Sequence, residues 1–494
     1  MNDEKKIVLI IGAGPAGLSA AWRLLRDAPE TYTPVIVESL DCVGGISCTK
    51  EYHGNRIDMG GHRFFTKNPE VESEWLSFQP GLFKSRNRVS RIYFNSKLFD
   101  YPITLSVSTI KQLGYHKAVQ AGLSYLRSSV TKRKELTLED FYINRFGKVL
   151  YELFFEKYTE KLWGVHPNAI SPDWGEQRVR GLSLAGAIAA FFTSSQKRGD
   201  QRKIETSLAE QFYYPHFGPG QYWELLSRSI VDNQGSVLLN SEVIQLGLYR
   251  ENDSSHYRVT YVRIKDIAND CTYIIEPDVV ISSMPIKDLI QAMDGEVSSE
   301  IRSLANDLPY RDFLTVGLLV RELKVNEQTS GEIRDCWIYI QEPDIRMGRI
   351  QIFNNWSSGM VARPSDTVWL GLEYFCSEGD ELWSMSDEDM IAYACEELHR
   401  MGIINPNDVL DATVERVKKA YPAYFGSYEH FDEIRRFLNK IDNLYCVGRN
   451  GQHRYNNMDH SMLTSFEAIR VLLSETSDKT TVWNINTEPK YHEE

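Results

Sequence analysis

The run Ile7 to Ile11 has no polar interruption, which predicts a strand buried on both faces. Gly12, Gly14 and Gly17 follow and open an alanine- and leucine-rich helical stretch, after which a second apolar strand, Val35 to Val37, ends on Glu38. Strand, glycine turn, helix, strand and acid stand in the order of a dinucleotide-binding βαβ unit. Gly12 permits the tight turn, Gly14 lets a pyrophosphate approach the backbone, and Gly17 lets helix and strand pack closely. Glu38 stands where a carboxylate meets a ribose hydroxyl.

Beyond this unit the periodicity changes several times. Asn68 to Phe78 carries apolar residues at helical spacing, and Arg88 to Ile103 alternates like a hairpin with Asn95-Ser96 near its turn. From Leu105 to about Phe192 helical spacing dominates, including the stretch Thr137 to Leu153, and this region predicts a separate substrate domain. Gly218-Pro219-Gly220 reads as a turn before a helix. Strands resume at Ser236 to Tyr249, Tyr257 to Lys265 and Asp278 to Ile286, a return to the cofactor domain. Alternating runs at Phe313 to Leu323, Cys336 to Gln341, Gly348 to Trp356 and Val368 to Cys376 then predict a mixed sheet with one face open to a ligand. Asp387 to Met401 is an amphipathic helix, and the polar tail after Ser474 is expected to fray.

Composition narrows the classes. A chain of 494 residues with 42% hydrophobic content can bury a large core in two or three domains. Its net charge of -13 argues against a dedicated nucleic-acid binder, so a polyanionic substrate needs a local cluster of Arg or Lys. The seven cysteines are scattered without a C-x-x-C pair, as expected of free thiols in a reducing cytoplasm, and Cys42 and Cys48 read as small buried side chains. The opening MNDEKK is unlike a signal peptide, and no apolar run reaches the length of a membrane span, so a cytoplasmic location is expected. Arg127 to Lys134 reads as a solvated helix end rather than a membrane contact. No metal-ligand spacing is present, and Asp459-His460 reads as a helix cap or packing pair.

Two further glycine turns bear on which dinucleotide is bound. One holds Gly44, Gly45 and Ser47; the other holds Gly448 and Arg449, after an apolar strand and before a helix that begins near Asp459. A chain whose two ends each supply such a turn clamps one long cofactor from both sides. This pairing resembles the FAD-binding fold of the glutathione reductase type found in amine oxidases, protoporphyrinogen oxidases and UDP-galactopyranose mutases. The resemblance implies an α/β fold, with a Rossmann FAD-binding domain assembled from residues 1–70, 226–290 and 436–475. A helical substrate domain (71–225), a mixed-sheet substrate domain (291–435) and a polar tail (476–494) complete it. No second G-x-G-x-x-G unit is present for a pyridine nucleotide.

A narrower likeness lies in the middle of the chain. Phe154 to Val179 resembles the mutase segment Tyr-Thr-x-Lys-x-Trp followed by an Arg facing the substrate diphosphate; the matching residues are Tyr158, Thr159, Lys161, Trp163 and Arg178. Gly348 to Ser357 is similar to the strand that carries the second diphosphate arginine, here Arg349, with Asn354 beyond it and Tyr339 upstream. Tyr455 resembles a phosphate-contacting tyrosine, and Asn457, Met458 and Asp459 lie where that family surrounds the flavin. The DMGGHRFF stretch resembles its flavin-facing loop, with Gly60, Gly61 and His62 beside the reactive ring edge. Val243 is counted with the cofactor contacts, and Tyr101 and Tyr424 with the substrate contacts. Where the mutases place an aromatic after Tyr-Pro, this chain has Ile103-Thr104 after Tyr101-Pro102, which leaves the nucleotide base open.

The resemblance implies a redox-neutral isomerase. Reduced FAD, replenished by an external reductant such as NADPH, attacks the anomeric carbon of a nucleotide-diphosphate sugar through N5, and the flavin-sugar adduct opens and recloses to exchange pyranose for furanose. Polysaccharide biosynthesis is the expected context, and a homo-oligomer is compatible with the sequence. The alternative is a true FAD-dependent oxidoreductase of the amine oxidase or desaturase type, which uses the same flavin motifs.

Overall fold

The strand read from the first apolar run lies at the centre of a five-stranded parallel sheet. The order is Leu444–Cys446, Val279–Ser282, Lys6–Ile11, Tyr32–Val37 and Ser236–Leu238. Val8, Leu9 and Ile10 are wholly buried because both faces are covered, the Val8 and Ile10 face by helices and the Leu9 face by residues 243–264 of a second sheet together with short helices, as an uninterrupted apolar strand requires. The computed structural model describes residues 5–101, 113–175, 211–250, 255–324, 333–474, 476 and 478–485. Helix Pro15–Asp27 packs against helix Met458–Leu473, and the Ser465 hydroxyl donates to the Ala16 carbonyl at 2.7 Å.

The strands expected between Ser236 and Ile286 are present, with one correction. The run Ser236 to Tyr249 is divided between two sheets: Ser236–Leu238 completes the parallel sheet, and the chain then turns at Asn240, where φ is 51°. Ser241–Arg250 leads a separate four-stranded sheet with Tyr257–Asp266, Cys271–Ile275 and Met293–Asp294.

The mixed sheet has seven strands, in the order Val409–Pro422, Tyr310–Val320, Val368–Cys376, Arg349–Ile352, Trp337–Ile340, Ser90–Phe94 and Lys97–Asp100. All neighbours are antiparallel except Trp337–Ile340 with Ser90–Phe94. Asn95 and Ser96 close the predicted hairpin with φ of 51° and 57°, the left-handed pair that a two-residue turn needs. Helix Asp387–Arg400 covers one face through Met390, Ala394 and Leu398. The opposite face is left for the site.

The predicted helix from Thr137 to Leu153 is two helices, Leu138–Phe146 and Lys148–Phe154, broken at Gly147 with φ of 79°. A Cβ at Gly147 would lie 2.7 Å from the Tyr125 backbone nitrogen, so the break lets helix Tyr115–Val130 pack close. Helix Glu156–Trp163 follows. Its Lys161 ammonium is buried and donates to the carbonyls of Ile340, Glu342 and Met347 at 2.8, 3.2 and 3.1 Å, tying this helix to the strand pair that carries Tyr339 and Arg349. Burial lowers its pKa to about 8.

The expectation of a frayed tail is corrected through residue 485. Val482 and Trp483 are buried, the Trp483 indole donates to Asn439 at 2.8 Å, and the Lys479 ammonium donates to the carbonyls of Ile441 and Leu444. Two aromatic and aliphatic anchors in a polar segment are enough to dock it. Gly147→Ala is expected to cost about 1–3 kcal/mol, from positive φ and contact with the Tyr125 backbone together. Urea denaturation of the variant against the parent protein measures it.

Candidate cofactor and substrate site

The first half of the site is a cradle made of three glycine turns. Gly12 has φ of 100°, and a side chain there would strike the Ser283 hydroxyl; a side chain at Gly17 would strike the Gly12 carbonyl. Helix Pro15–Asp27 begins at Gly14 with no side chain capping its first turn, so its N–H groups remain directed at whatever lies in front of it. The second turn is bonded directly to the first, with the Gly44 N–H donating to the Ala13 carbonyl at 2.8 Å, and a Cβ at Gly45 would lie 3.3 Å from Gly14 Cα. The third arrives from the other end of the chain: Gly448, at φ 75°, would meet Ala16 Cβ at 2.9 Å if it carried a side chain.

The acid Glu38 is buried at the end of its strand, where its carboxylate accepts the N–H groups of Ala13 and Leu40 at 2.7 and 3.0 Å. Val243 lies in the core two residues beyond Ser241, whose N–H donates to the Glu38 carbonyl. Ser47 has a role within the turn. Its buried hydroxyl donates to the Gly44 carbonyl at 2.8 Å, closing the turn itself. Asn457 precedes helix Met458–Leu473, with its N–H bonded to His460 Nδ1 at 3.4 Å, so His460 caps the helix. Met458 is packed in the core, and Asp459 accepts the His460 N–H.

The second half centres on His62. Gly61 has no Cβ to keep neighbours away: an added one would lie 3.5 Å from the Trp356 ring and 3.7 Å from an Arg349 terminal nitrogen. The other nitrogens of Arg349 pair with the fully buried Glu373, at 2.7 Å from Nε and 2.5 Å from the second terminal nitrogen. Register explains the pairing, since Arg349 lies opposite both Glu373 and Tyr339 in the mixed sheet. Gln351 holds the second Glu373 oxygen at 2.8 Å. Burial raises the Glu373 pKa, against the opposing pull of Arg349.

Arg449 approaches from the third glycine turn. Its guanidinium is held by the carbonyls of Asn456 and Ala420 and lies 4.6 Å from the Tyr455 ring centre and 5.6 Å from that of Tyr421. These two rings are parallel, 6.0 Å apart with 8° between planes. Tyr421 was not singled out from sequence. Tyr424, which was, is fully buried and accepts the Tyr455 N–H through its hydroxyl at 2.7 Å, so it positions Tyr455 from behind. Burial raises the Tyr421 pKa, keeping its phenol a donor. Tyr101 and Tyr158 gather at Tyr339, at ring distances of 4.7 and 6.1 Å, and the Arg349 guanidinium lies 5.9 Å from the Tyr339 ring.

Two more arginines reach this side. Arg63 lies 5.6 Å from the Trp337 ring, and Arg88 donates to Ser90 Oγ at 2.8 Å. Arg88 has its pKa lowered by burial and then by Arg63. His62 has its pKa lowered to about 3 by burial, then by Arg449 and Arg349, and its Nδ1 is buried with no hydrogen-bond partner among the described residues. His62 thus has two guanidinium neighbours, Arg449 and Arg349, and Arg88 has one, Arg63.

Two other candidates have structural positions. The Asn354 side chain is taken up by the carbonyls of Pro364 and Thr367 and the Trp369 N–H, which pins a loop. Trp163 is buried edge-on against Trp174, at 4.8 Å, and Trp174 in turn meets Tyr455 edge-on at 5.0 Å. Arg178 lies outside the described residues. Among those described, no group of His, Cys, Asp and Glu forms a metal site, and no helix is long and apolar enough to cross a membrane. Cys42 and Cys48 are free thiols, half-buried and buried.

A family profile described as flavin-containing amine oxidoreductase matches residues 15–457. The chain belongs to that family. As a flavin-containing amine oxidoreductase relative it is a flavoenzyme, and the family implies FAD. The residues fit such a group: an uncapped helix start, three turns whose close approach excludes side chains, and an orphaned imidazole nitrogen at the far end.

Among known proteins, a probable UDP-galactopyranose mutase of Klebsiella pneumoniae is 29% identical over 179 residues, 34% of this chain and 44% of that protein. Polyamine oxidase 1 of Oryza sativa subsp. japonica is 40% identical over 60 residues, 12% of each chain. The chain thus spans less than half the length of these curated relatives. Among solved structures, a reduced UDP-galactopyranose mutase superposes with a TM-score of 0.77 at 22% identity, covering 98% of this chain and 99% of the other. A putative protoporphyrinogen oxidase from Exiguobacterium sp. 255-15 gives 0.68 at 16% identity, covering 95% and 99%. At these identities the likeness establishes the fold.

Buried histidines predict a pH response of this flavoenzyme. His453 is buried with Nε2 donating to the Ala423 carbonyl at 3.0 Å, and burial lowers its pKa to about 4. The unfolded chain takes up this proton below about pH 6.5, whereas the folded chain refuses it until about pH 4. The contribution is therefore complete above pH 6.5 and lost as pH falls, by roughly 3 kcal/mol at pH 4. In urea titrations between pH 7 and pH 5, His453→Gln is expected to lose less stability than the parent. Equal slopes would mean that His453 is protonated in the folded state.

Proposed function

We propose that the protein is an FAD-dependent mutase that interconverts pyranose and furanose forms of a nucleotide-diphosphate sugar, redox-neutral overall. The observation that carries this reading is the gathering of arginines on this side of the site, with Arg349 beside the Gly61-His62 loop, Arg449 on the Tyr421 and Tyr455 rings, and Arg63 and Arg88 beyond. In a chain of net charge -13, such a local cluster favours a diphosphate and opposes a cationic amine. The paired faces of Tyr421 and Tyr455, which would otherwise attract an ammonium group, already have Arg449 beside them. The likeness to proteins named UDP-galactopyranose mutase supports the same substrate class.

Bound in its reduced form, FAD would supply a nucleophilic nitrogen to the anomeric carbon. The chain's own residues do the rest. Arg349 offers the terminal nitrogen that Glu373 does not hold, and the hydroxyls of Tyr421 and Tyr455 donate to phosphate oxygens without adding charge. Together they retain the departing diphosphate for its return, which keeps its effective concentration high. His62, neutral at physiological pH, orients the reactive edge without adding a cation. Arg178 is a second diphosphate arginine in this reading, with Arg63 and Arg88 lending charge on the Tyr339 side. Tyr101, Tyr158 and Tyr339 would receive the nucleotide. The three glycine turns, Glu38 and Arg449 would hold FAD, and residues 1–70, 226–290 and 436–475 would form its domain. An external reductant such as NADPH would prime the enzyme.

Anaerobic incubation of the dithionite-reduced protein with a panel of nucleotide sugars is expected to yield an isomer of unchanged mass, with no turnover by the oxidised protein. Absence of any isomer, together with amine-dependent bleaching that recovers in air, would establish the oxidase instead. Arg349→Ala is a poor probe, because stranding a buried Glu373 costs about 3–5 kcal/mol. Arg349→Lys keeps a charge beside Glu373 but loses the planar fork. It is expected to lower kcat/KM for the nucleotide sugar about 10²-fold while FAD content and Tm stay near the parent's. Proportional loss of flavin and activity would make Arg349 a structural residue.

A further inference from the structure

Helix Tyr115–Val130 presents its apolar face to solvent. Its inner side is made of small residues and one aromatic: Ala121 and Ser128 are buried, Tyr125 packs against the helical core, and Ser124 Oγ accepts the Val149 N–H at 3.2 Å. The outer side carries Tyr115, Val119, Leu123, Leu126 and Val130, each between 59% and 85% exposed. At 100° per residue these five fall within a sector of about 80°, in a stripe roughly 22 Å long. A helix on the surface of a soluble domain has the reverse pattern, and single exposed apolar residues do not form such a row.

Charge around the stripe is one-sided. Residues 113–134 contain Lys117, Arg127, Lys132, Arg133 and Lys134 and no Asp or Glu, in a chain with 13 excess acids. Arg133 leans toward Asp140 at 3.6 Å, and Lys132 donates to the Asn144 carbonyl, an uncharged partner. The stretch Arg127 to Lys134, expected to be a solvated helix end, continues directly from this row of apolar side chains. We propose that this face docks the protein peripherally on an anionic lipid surface. The stripe lies at the boundary of headgroups and acyl chains, and the basic residues face lipid phosphates. Symmetric pairing of two copies through the same face would bring like charges together, which disfavours that occupant.

The full-length FAD-loaded protein can be tested by flotation with vesicles of phosphatidylcholine alone or mixed with phosphatidylglycerol. Binding is expected only to the mixed vesicles, and to weaken by about tenfold or more as salt is raised. The double variant Leu123→Gln/Leu126→Gln changes only exposed side chains, so it should keep flavin absorbance and Tm while losing vesicle binding. Lys132→Gln/Lys134→Gln should weaken binding and flatten its salt dependence. Flotation with neither vesicle type would overturn the proposal. So would light scattering that shows a dimer dissociated by Leu123→Gln/Leu126→Gln without any lipid binding, which would assign the stripe to contact between copies.

Discussion

The buried carboxylate of Glu373 is the constraint on which the substrate side depends. A carboxylate with no exposure is tolerated only if its charge is met, and here Arg349 and Gln351 meet it from the adjacent strand. The pairing fixes the direction of the Arg349 guanidinium, leaving one terminal nitrogen aimed at the His62 loop. Gly61 then follows as a requirement of space. Tyr339, opposite Arg349 in the sheet, has Tyr101 and Tyr158 around it, so strand register brings three aromatic positions to the side of this ion pair.

Support for this arrangement comes from outside the sheet. The Lys161 ammonium, buried among three carbonyls, joins helix Glu156–Trp163 to the strands of Tyr339 and Arg349. Tyr424 does the same for Tyr455 from below, and the Asn456 and Ala420 carbonyls aim Arg449. The residues nearest the candidate substrate therefore have little freedom of their own, as a preorganised site requires.

What was legible in the sequence was local. The fingerprint glycines and the apolar strand before them act within a few residues of one another, and the hairpin at Asn95-Ser96 is likewise a short-range pattern. Glu373 was not legible, because it interrupts an otherwise apolar strand and its meaning comes from register with Arg349. Tyr424 was read as a substrate contact and Tyr421 was not singled out: only the end of strand Val409–Pro422 decides that Tyr421 faces Tyr455 and that Tyr424 turns into the core. The break at Gly147 inside the predicted helix Thr137 to Leu153 was not legible, because it depends on the approach of the Tyr125 backbone. Trp483 looked like part of a loose tail because the surface it docks on is contributed by distant residues such as Asn439.

The three glycine turns come from residues near 12, 44 and 448, and the last seals the first helix through Ala16. A nascent chain thus lacks a finished flavin cradle until more than nine-tenths of the described fold has been synthesised. On the proposed reading, FAD held by all three turns would be bound late and would act as a clasp between early and late parts of the polypeptide. Its free energy of binding adds directly to the stability of the closed chain. A truncation near the C-terminus would be felt first as loss of yellow colour rather than as loss of secondary structure.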